Sequence, residues 1–239
     1  MAKSLLGKLD AAAIGMLELP RLASEILEGF RALGDLTGTA SDALDACGIA
    51  GALPASLLGP TDPQARLVGQ AITVLNVATG KVSVGKASRL AEIEAHNLAE
   101  AGDVLVIQGV AGISSMGAIS AALGRRQGEA GAIVDGAVRD VGHSRRIGYP
   151  VWSAGVSPIT GKWRIETVAV NKPVSIAGVA VRPGDLVLAD ECGVCFVPFP
   201  RAGEVLAIAQ RLAASEERRL AKLAEGIPLA EFAALPRAD

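Results

Sequence analysis

Two charged side chains of opposite sign, Arg139 and Asp140, follow directly on the apolar run GAIVDGAV. Arginine offers a planar fork of donors suited to a carboxylate, and aspartate a hard oxygen of the kind magnesium or manganese takes. Upstream, DVLVIQGV runs out through Gln108 and Gly109 into a loop from Val110 to Met116, and a helix is expected to start near Gly117. The free N–H groups of its first turn, at Gly117, Ala118, Ile119 and Ser120, favour an anion such as a carboxylate. Strand, loop, helix and strand make a βαβ unit with a right-handed crossover, and ligands collect beyond the carboxyl ends of such parallel strands. The pattern therefore suits a small carboxylate held beside a metal. A plainer use of the same residues is also open: Arg139 and Asp140 could cap the next helix or pair with each other.

Positioning these groups requires strands and helices in alternation. ARLVGQAITVLNVA alternates and is rich in Val, Ile and Thr, which predicts a strand pair or one long strand. SRLAEIEAHNLAEAG has apolar positions at helical spacing and ends in Gly102, with His96 expected to be a partly exposed helix residue. DVLVIQGV and GAIVDGAV are continuous apolar runs, typical of strands buried on both faces. RDVGHSRRIG predicts a short helix with a basic outer face, YPVWSAG a strand, and Trp163 to Val197 a β-rich stretch turned at Asn171-Lys172-Pro173 and Pro183-Gly184-Asp185. An amphipathic first helix is expected to about Leu33, then a short helix capped by Thr37 or Thr39. A long amphipathic helix runs from Arg201 to about Ala224, stopped by Gly226 and Pro228. With no repeat or linker, residues 1–239 are expected to form one α/β domain, with a core at about 37–200 and a C-terminal helix at about 201–225.

Composition narrows the partners. The 239 residues carry 23 basic and 25 acidic side chains, a net charge of -2, so no surplus exists to neutralise a phosphate backbone and no nucleic-acid partner is expected. Aromatic residues make up only 3%, which argues against recognition by stacking, whereas 28 glycines favour a site built from backbone groups and a few charges. No apolar run reaches the roughly 18 to 20 residues of a membrane span. The opening MAKSLLGKLDAAAIGML is interrupted by Lys8 and Asp10 and is followed by Glu18, so it reads as an amphipathic helix before a signal peptide. The expectation is a soluble, cytoplasmic protein. Three cysteines make no disulfide framework. Cys192 and Cys195 spell C-x-x-C, but in ECGVCFVPF they read as small apolar strand residues, not a redox pair or half of a zinc site.

The run GVAGISSMGAISAALGRRQGEAGAIVDGAVRD, followed by YPVWSAGVSP, NKPVSIAGVAVRPGDLVLADECGVCFVP and the closing helix, resembles the RraA-like family. That family contains the 4-hydroxy-4-methyl-2-oxoglutarate and 4-carboxy-4-hydroxy-2-oxoadipate aldolases and the regulator of ribonuclease E activity. Matching segments extend from about Thr37 to Gly226, with VDGAVRD and PGDLVLADECGV the most specific. The resemblance implies a swivelling β/β/α-type sandwich, assembled as a homotrimer or homohexamer with sites between subunits. It also implies a divalent metal, magnesium or manganese, with Asp140 as the direct ligand and waters filling most of the shell. Arg139 and the amides of Gly117, Ala118, Ile119 and Ser120 would hold the pyruvyl carboxylate. Glu216 would reach in from a neighbouring subunit through metal-bound water, unless it is one of several solvated charges in SEERR. Two positions depart from the aldolase pattern. Ala118 stands where those enzymes carry an acid, and such outer groups tune affinity and activity by about 10- to 100-fold. His143 stands where they often carry another acid, and one turn beyond Asp140 it could serve as a ligand or as a general acid or base, or lie exposed on its helix.

The activity these features imply is a metal-assisted lyase acting on a small 2-oxo acid through a pyruvate enolate, an intermediate shared by retro-aldol cleavage and oxaloacetate decarboxylation. A Schiff-base route would use Lys81, Lys86 or Lys162, none visibly set in apolar surroundings. A hydratase, a tautomerase or a C–C hydrolase could use the same site. From a different class comes a non-catalytic protein-binding regulator of RNA degradation, although the family's regulators lack the metal aspartate after the arginine. The RRQGE and HSRR clusters would then be a docking face, where otherwise they are solvated helix surface. No glycine-rich loop followed by an acidic ribose-binding residue supports a methyltransferase.

Overall fold

The computed structural model describes residues 4–80 and 89–236. The chain opens on the surface. In place of the expected first helix, the segment ahead of α1 (Ser24–Arg31) is largely irregular, with one 3-10 turn at Ala11–Ala13. Gly7 at φ 72° and Pro20 interrupt helical geometry, and the backbone bonds to distant partners. The N–H groups of Leu6 and Lys8 donate to the buried Glu94 carboxylate at 3.0 and 2.7 Å, and Gly15 donates to the Val170 carbonyl at 2.9 Å. Helix α2 (Leu36–Ala46) begins ahead of both threonines expected to cap it. Thr37 instead gives its N–H and its hydroxyl to Asp190, at 2.9 and 2.5 Å, and Thr39 is buried within the helix.

Strands β1 (Ala52–Pro54), β2 (Gly59–Pro60) and β3 (Leu67–Ala78) follow, the last a single long strand. Next come α3 (Glu92–Leu98), β4 (Val104–Gln108), β5 (Ser114–Met116), α4 (Ala118–Gln127), β6 (Gly131–Val138), α5 (Val141–Arg146) and β7 (Val151–Val156). Strand β8 (Ile165–Val170), the hairpin of β9 (Val174–Ile176) and β10 (Val179–Val181), β11 (Leu186–Asp190), β12 (Gly193–Val197), α6 (Ala202–Ala224) and α7 (Leu229–Ala233) complete the chain. The main sheet runs β1-β12-β11-β3-β4-β6-β7-β2. Strand β3 joins its halves: Leu67–Gln70 pair antiparallel with β11, whereas Ala71–Leu75 pair in parallel with β4.

Apolar side chains gather in three layers. Ile72, Leu105, Ile107 and Val134 pack with Ala95 of α3 and Ala121 of α4. Phe30, Leu36, Leu44 and Val205 pack α1, α2 and α6 on Leu188 and Val197. Between them lie Val104, Val106, Ile133, Trp152, Val187 and Phe196. Trp152 is fully buried and its indole N–H donates to the Asp190 carbonyl at 2.8 Å, so its one polar atom is partnered. The result is a mixed α/β sandwich. Cys195 is buried on β12, as its strand reading requires, but Cys192 is exposed in the turn before it. Burial first, then the charges of Asp190 and Asp45, push the Cys195 thiol up to about 12. Among the described residues no helix is long and apolar enough to cross a membrane.

Candidate active site

Strands β4, β6 and β7 are parallel neighbours, so their carboxyl ends line one edge. Strand β6 stops at Val138, and the Arg139 N–H bonds the Met116 carbonyl at 3.1 Å, tying the two approaches together. Asp140 then takes a left-handed conformation, φ 56° and ψ 32°, as N-cap of α5. Aspartate adopts this region more readily than most residues with a Cβ, at a cost on the order of 1 kcal/mol. Here the carboxylate meets α4: Oδ2 accepts the Ala118 N–H at 3.1 Å, and Arg139 Nε stands 3.6 Å from the same oxygen. Gly117 allows the approach, because a Cβ there would lie 2.7 Å from that oxygen and 3.0 Å from Arg139 Cγ. The expected pairing of Arg139 with Asp140 and the expected convergence with the α4 terminus are therefore both present. Both side chains remain 44% exposed, and among the described residues nothing donates to Asp140 Oδ1 or accepts from the terminal guanidinium nitrogens of Arg139.

Of the α4 first-turn amides, that of Ala118 is engaged by Asp140, while those of Ile119 and Ser120 have no acceptor among the described residues. What this turn offers the edge is backbone. The Ile119 side chain points to solvent, 79% exposed, and the Ser120 hydroxyl is buried against His96. His143 follows one turn after Asp140, its N–H bonded to the Asp140 carbonyl at 2.8 Å. Glu216 is exposed on α6, where it lines a groove with Asp35 and Thr39 beside α1 and α2. The chain therefore does not bring its own Glu216 to Arg139 and Asp140. Lys162 is exposed, with Nζ 5.0 Å from the Trp163 ring centre; Lys81 and Lys86 lie outside the described residues.

The expectation of a partly exposed His96 is wrong: it is 1% exposed and sits at the centre of a polar chain under α4. Its Nδ1 meets Glu129 Oε1 at 2.7 Å and its Nε2 meets Ser120 Oγ at 2.9 Å. The Tyr149 hydroxyl donates to Glu129 Oε2 at 2.6 Å. Burial, then the Glu129 charge, hold that phenol well above its ordinary range. A buried histidine this well partnered needs no exposure. Helical spacing could not reveal the partners, which come from other segments. One signal was available: Gly124 inside α4 costs about 1 kcal/mol relative to alanine and implies a packing reason. A Cβ there would lie 2.5 Å from both Glu129 Oε2 and Tyr149 Oη.

Among the described residues no three His, Cys, Asp or Glu side chains group to cage a metal. The donor that is present, a solvent-facing carboxylate with one unengaged oxygen, fits magnesium or manganese, which keep several waters and take one or two carboxylates. It does not fit a structural zinc site, which needs four protein ligands.

A family profile described as Aldolase/RraA, of the RraA-like family, matches residues 37–196. A Halalkalibacterium halodurans protein, provisionally described as a 4-hydroxy-4-methyl-2-oxoglutarate aldolase, is 32% identical over 174 residues, 72% of this chain and 79% of that one. Protein DlpA of Legionella pneumophila is 32% identical over 194 residues, 79% of this chain, but the aligned part spans only 30% of DlpA. The crystal structure of Streptomyces coelicolor RraAS2, described as an unusual member of the RNase ES inhibitor RraA protein family, is similar with a TM-score of 0.71. Its sequence identity is 29%, with 83% of this chain and 96% of that one covered.

Proposed function

The chain belongs to the RraA-like family, and on that premise we propose that it is a divalent-metal-dependent lyase acting in the cytoplasm. It cleaves a C–C bond of a small 2-oxo acid, in the manner of a 4-hydroxy-4-methyl-2-oxoglutarate aldolase, with oxaloacetate decarboxylation as a side activity. The observation that carries this reading is the left-handed Asp140, held beside Arg139 against the open first turn of α4.

The residues divide the work. Asp140 would hold magnesium or manganese through its unengaged oxygen. When bound, that cation supplies positive charge beside the 2-oxo group, where cleavage leaves an enolate. Arg139, with free terminal nitrogens, holds the pyruvyl carboxylate in a bidentate clasp, and the Ile119 and Ser120 amides bind the same group at the positive end of α4. Retro-aldol cleavage takes the C4 hydroxyl proton, moves the C3–C4 electron pair onto C3 and later returns a proton there. His143, whose backbone N–H bonds the Asp140 carbonyl one turn back, is the residue assigned to these transfers. Glu216 would serve from an adjacent copy in a homotrimer or homohexamer. Ala118 puts a methyl group where an acid would anchor water, which favours a shift of the proton work to His143.

The test is pyruvate release from oxaloacetate and from 4-hydroxy-4-methyl-2-oxoglutarate with magnesium, manganese or EDTA, beside Asp140→Ala. Metal-dependent release that Asp140→Ala removes is expected. If neither compound is turned over under any metal condition, the aldolase reading fails, and turnover that survives Asp140→Ala removes the assigned metal position.

A further inference from the structure

The buried chain Tyr149, Glu129, His96 and Ser120 does more than fill space under α4. Its members come from β7's approach, the α4–β6 turn, α3 and α4, and it ends on the first turn of α4. An apolar set of the same volume would pack as well without desolvating a carboxylate and an imidazole. What the polar chain adds is direction. Glu129 accepts at both oxygens, from the Tyr149 hydroxyl at 2.6 Å and from His96 Nδ1 at 2.7 Å. That fixes the imidazole ring, so Nε2 has one place to aim, and Ser120 Oγ is there at 2.9 Å.

A second contact seats the helix lower down. The missing side chain at Gly124 lets α4 settle onto Glu129 and Tyr149, where a Cβ would come within 2.5 Å of each. The helix is thus gripped at two points on one face. Gly117 as N-cap has no side chain to fasten the start of the helix, and among the described residues its first amide is held instead by Asp140. The amide of Ser120 and that of Ile119 before it face the Arg139–Asp140 edge with no acceptor among the described residues.

We infer that His96 is a positioning residue: through the Ser120 hydroxyl it sets the depth and angle at which the Ile119 and Ser120 amides meet the substrate carboxylate. This rests on the reading that those amides bind the carboxylate. His96 touches no substrate, and its effect belongs to binding rather than to bond cleavage.

The experiment compares Ser120→Thr with Ser120→Val, which match in bulk and differ in the hydroxyl, together with Ser120→Ala, His96→Gln and Ile119→Pro. Pyruvate titrated by calorimetry, steady-state KM and kcat, and hydrogen exchange of the α4 first-turn amides are read for each folded variant. Ser120→Ala and Ser120→Val should raise KM and the pyruvate Kd about 5- to 10-fold, the equivalent of one lost hydrogen bond, with kcat within about twofold. Exchange at Ile119 and Ser120 should speed up, and Ser120→Thr should recover most of the loss. Equal behaviour of the threonine and valine variants would overturn the inference. So would a lower melting temperature at Ser120→Ala with unchanged KM, the sign of a structural role alone. Ile119→Pro deletes one amide in a turn that tolerates proline. If it leaves pyruvate binding intact, the carboxylate reading itself fails; if it weakens binding while the Ser120 variants do not, only the positioning role of His96 falls.

Discussion

Replacing Gly117 with alanine tests the site with a single methyl group. The glycine backbone is extended there, φ -150°, so alanine adopts it without left-handed strain. Its Cβ would stand 2.7 Å from Asp140 Oδ2 and 3.0 Å from Arg139 Cγ. Ordinary carbon–oxygen contact begins near 3.3 Å, so the carboxylate must withdraw by roughly half an ångström. The Ala118 N–H bond to that oxygen, already 3.1 Å long, then passes out of hydrogen-bonding range. A hydrogen bond to a charged group contributes about 1.5–3 kcal/mol, which translates to a loss of about 10- to 150-fold in kcat/KM. Stability should change far less, because both side chains are 44% exposed and water can replace the lost contact. The assay is metal-dependent pyruvate release from oxaloacetate, with circular dichroism and Asp140→Asn as the reference. A Gly117→Ala protein that is folded and retains kcat/KM within twofold of the wild type would falsify the argument that Asp140 is held against α4 for catalysis.

Gly124→Ala should behave unlike other helix-interior glycine replacements. Its Cβ would collide with Glu129 Oε2 and Tyr149 Oη at 2.5 Å. We expect a loss of about 2–3 kcal/mol, or roughly 5–10 °C in melting temperature for a chain of this size; a higher melting temperature would contradict the packing described. With its thiol pushed up to about 12, buried Cys195 should resist iodoacetamide at pH 8 while exposed Cys192 reacts, as peptide mass spectrometry can show. Burial raises the Asp185 carboxyl, against the lowering effect of the Arg182 and Phe199 N–H donors and the Arg182 charge. A raised folded pKa means that its contribution to stability is complete below the ordinary aspartate value of about 3.9 and is lost as pH rises through the folded value. Urea melts of Asp185→Asn should therefore show its stability relative to wild type rising between pH 4 and pH 7; a flat or falling difference would count against the buried-carboxyl account.

Much of the candidate site was legible because its signals are local. Continuous apolar runs marked β4 and β6, and chain order placed their carboxyl ends together with the start of α4. Arg139, Asp140 and the first-turn amides were therefore found as a group. Periodicity likewise placed α6. Where the reading failed, the deciding partner lay far along the chain. The N-terminal segment has an amphipathic pattern, yet Glu94 takes the N–H groups of Leu6 and Lys8 across separations of 88 and 86 residues. Thr37 was a plausible cap until Asp190, 153 residues away, claimed its hydroxyl. His96 looked half solvated until Glu129 and Tyr149 enclosed it. Glu216, expected to act from a neighbouring subunit, lies on α6 beside α1 and α2, where a single chain leaves that expectation open.

By itself the sequence determined the order of strands and helices and the chemical groups at the strand ends, because hydrophobic period and backbone valence act over a few residues. The tertiary structure alone decided the left-handed Asp140 held to Ala118 and the histidine chain that grips α4. Those depend on polar groups from separate segments meeting within hydrogen-bonding distance once water has been excluded, and no local pattern records such a meeting.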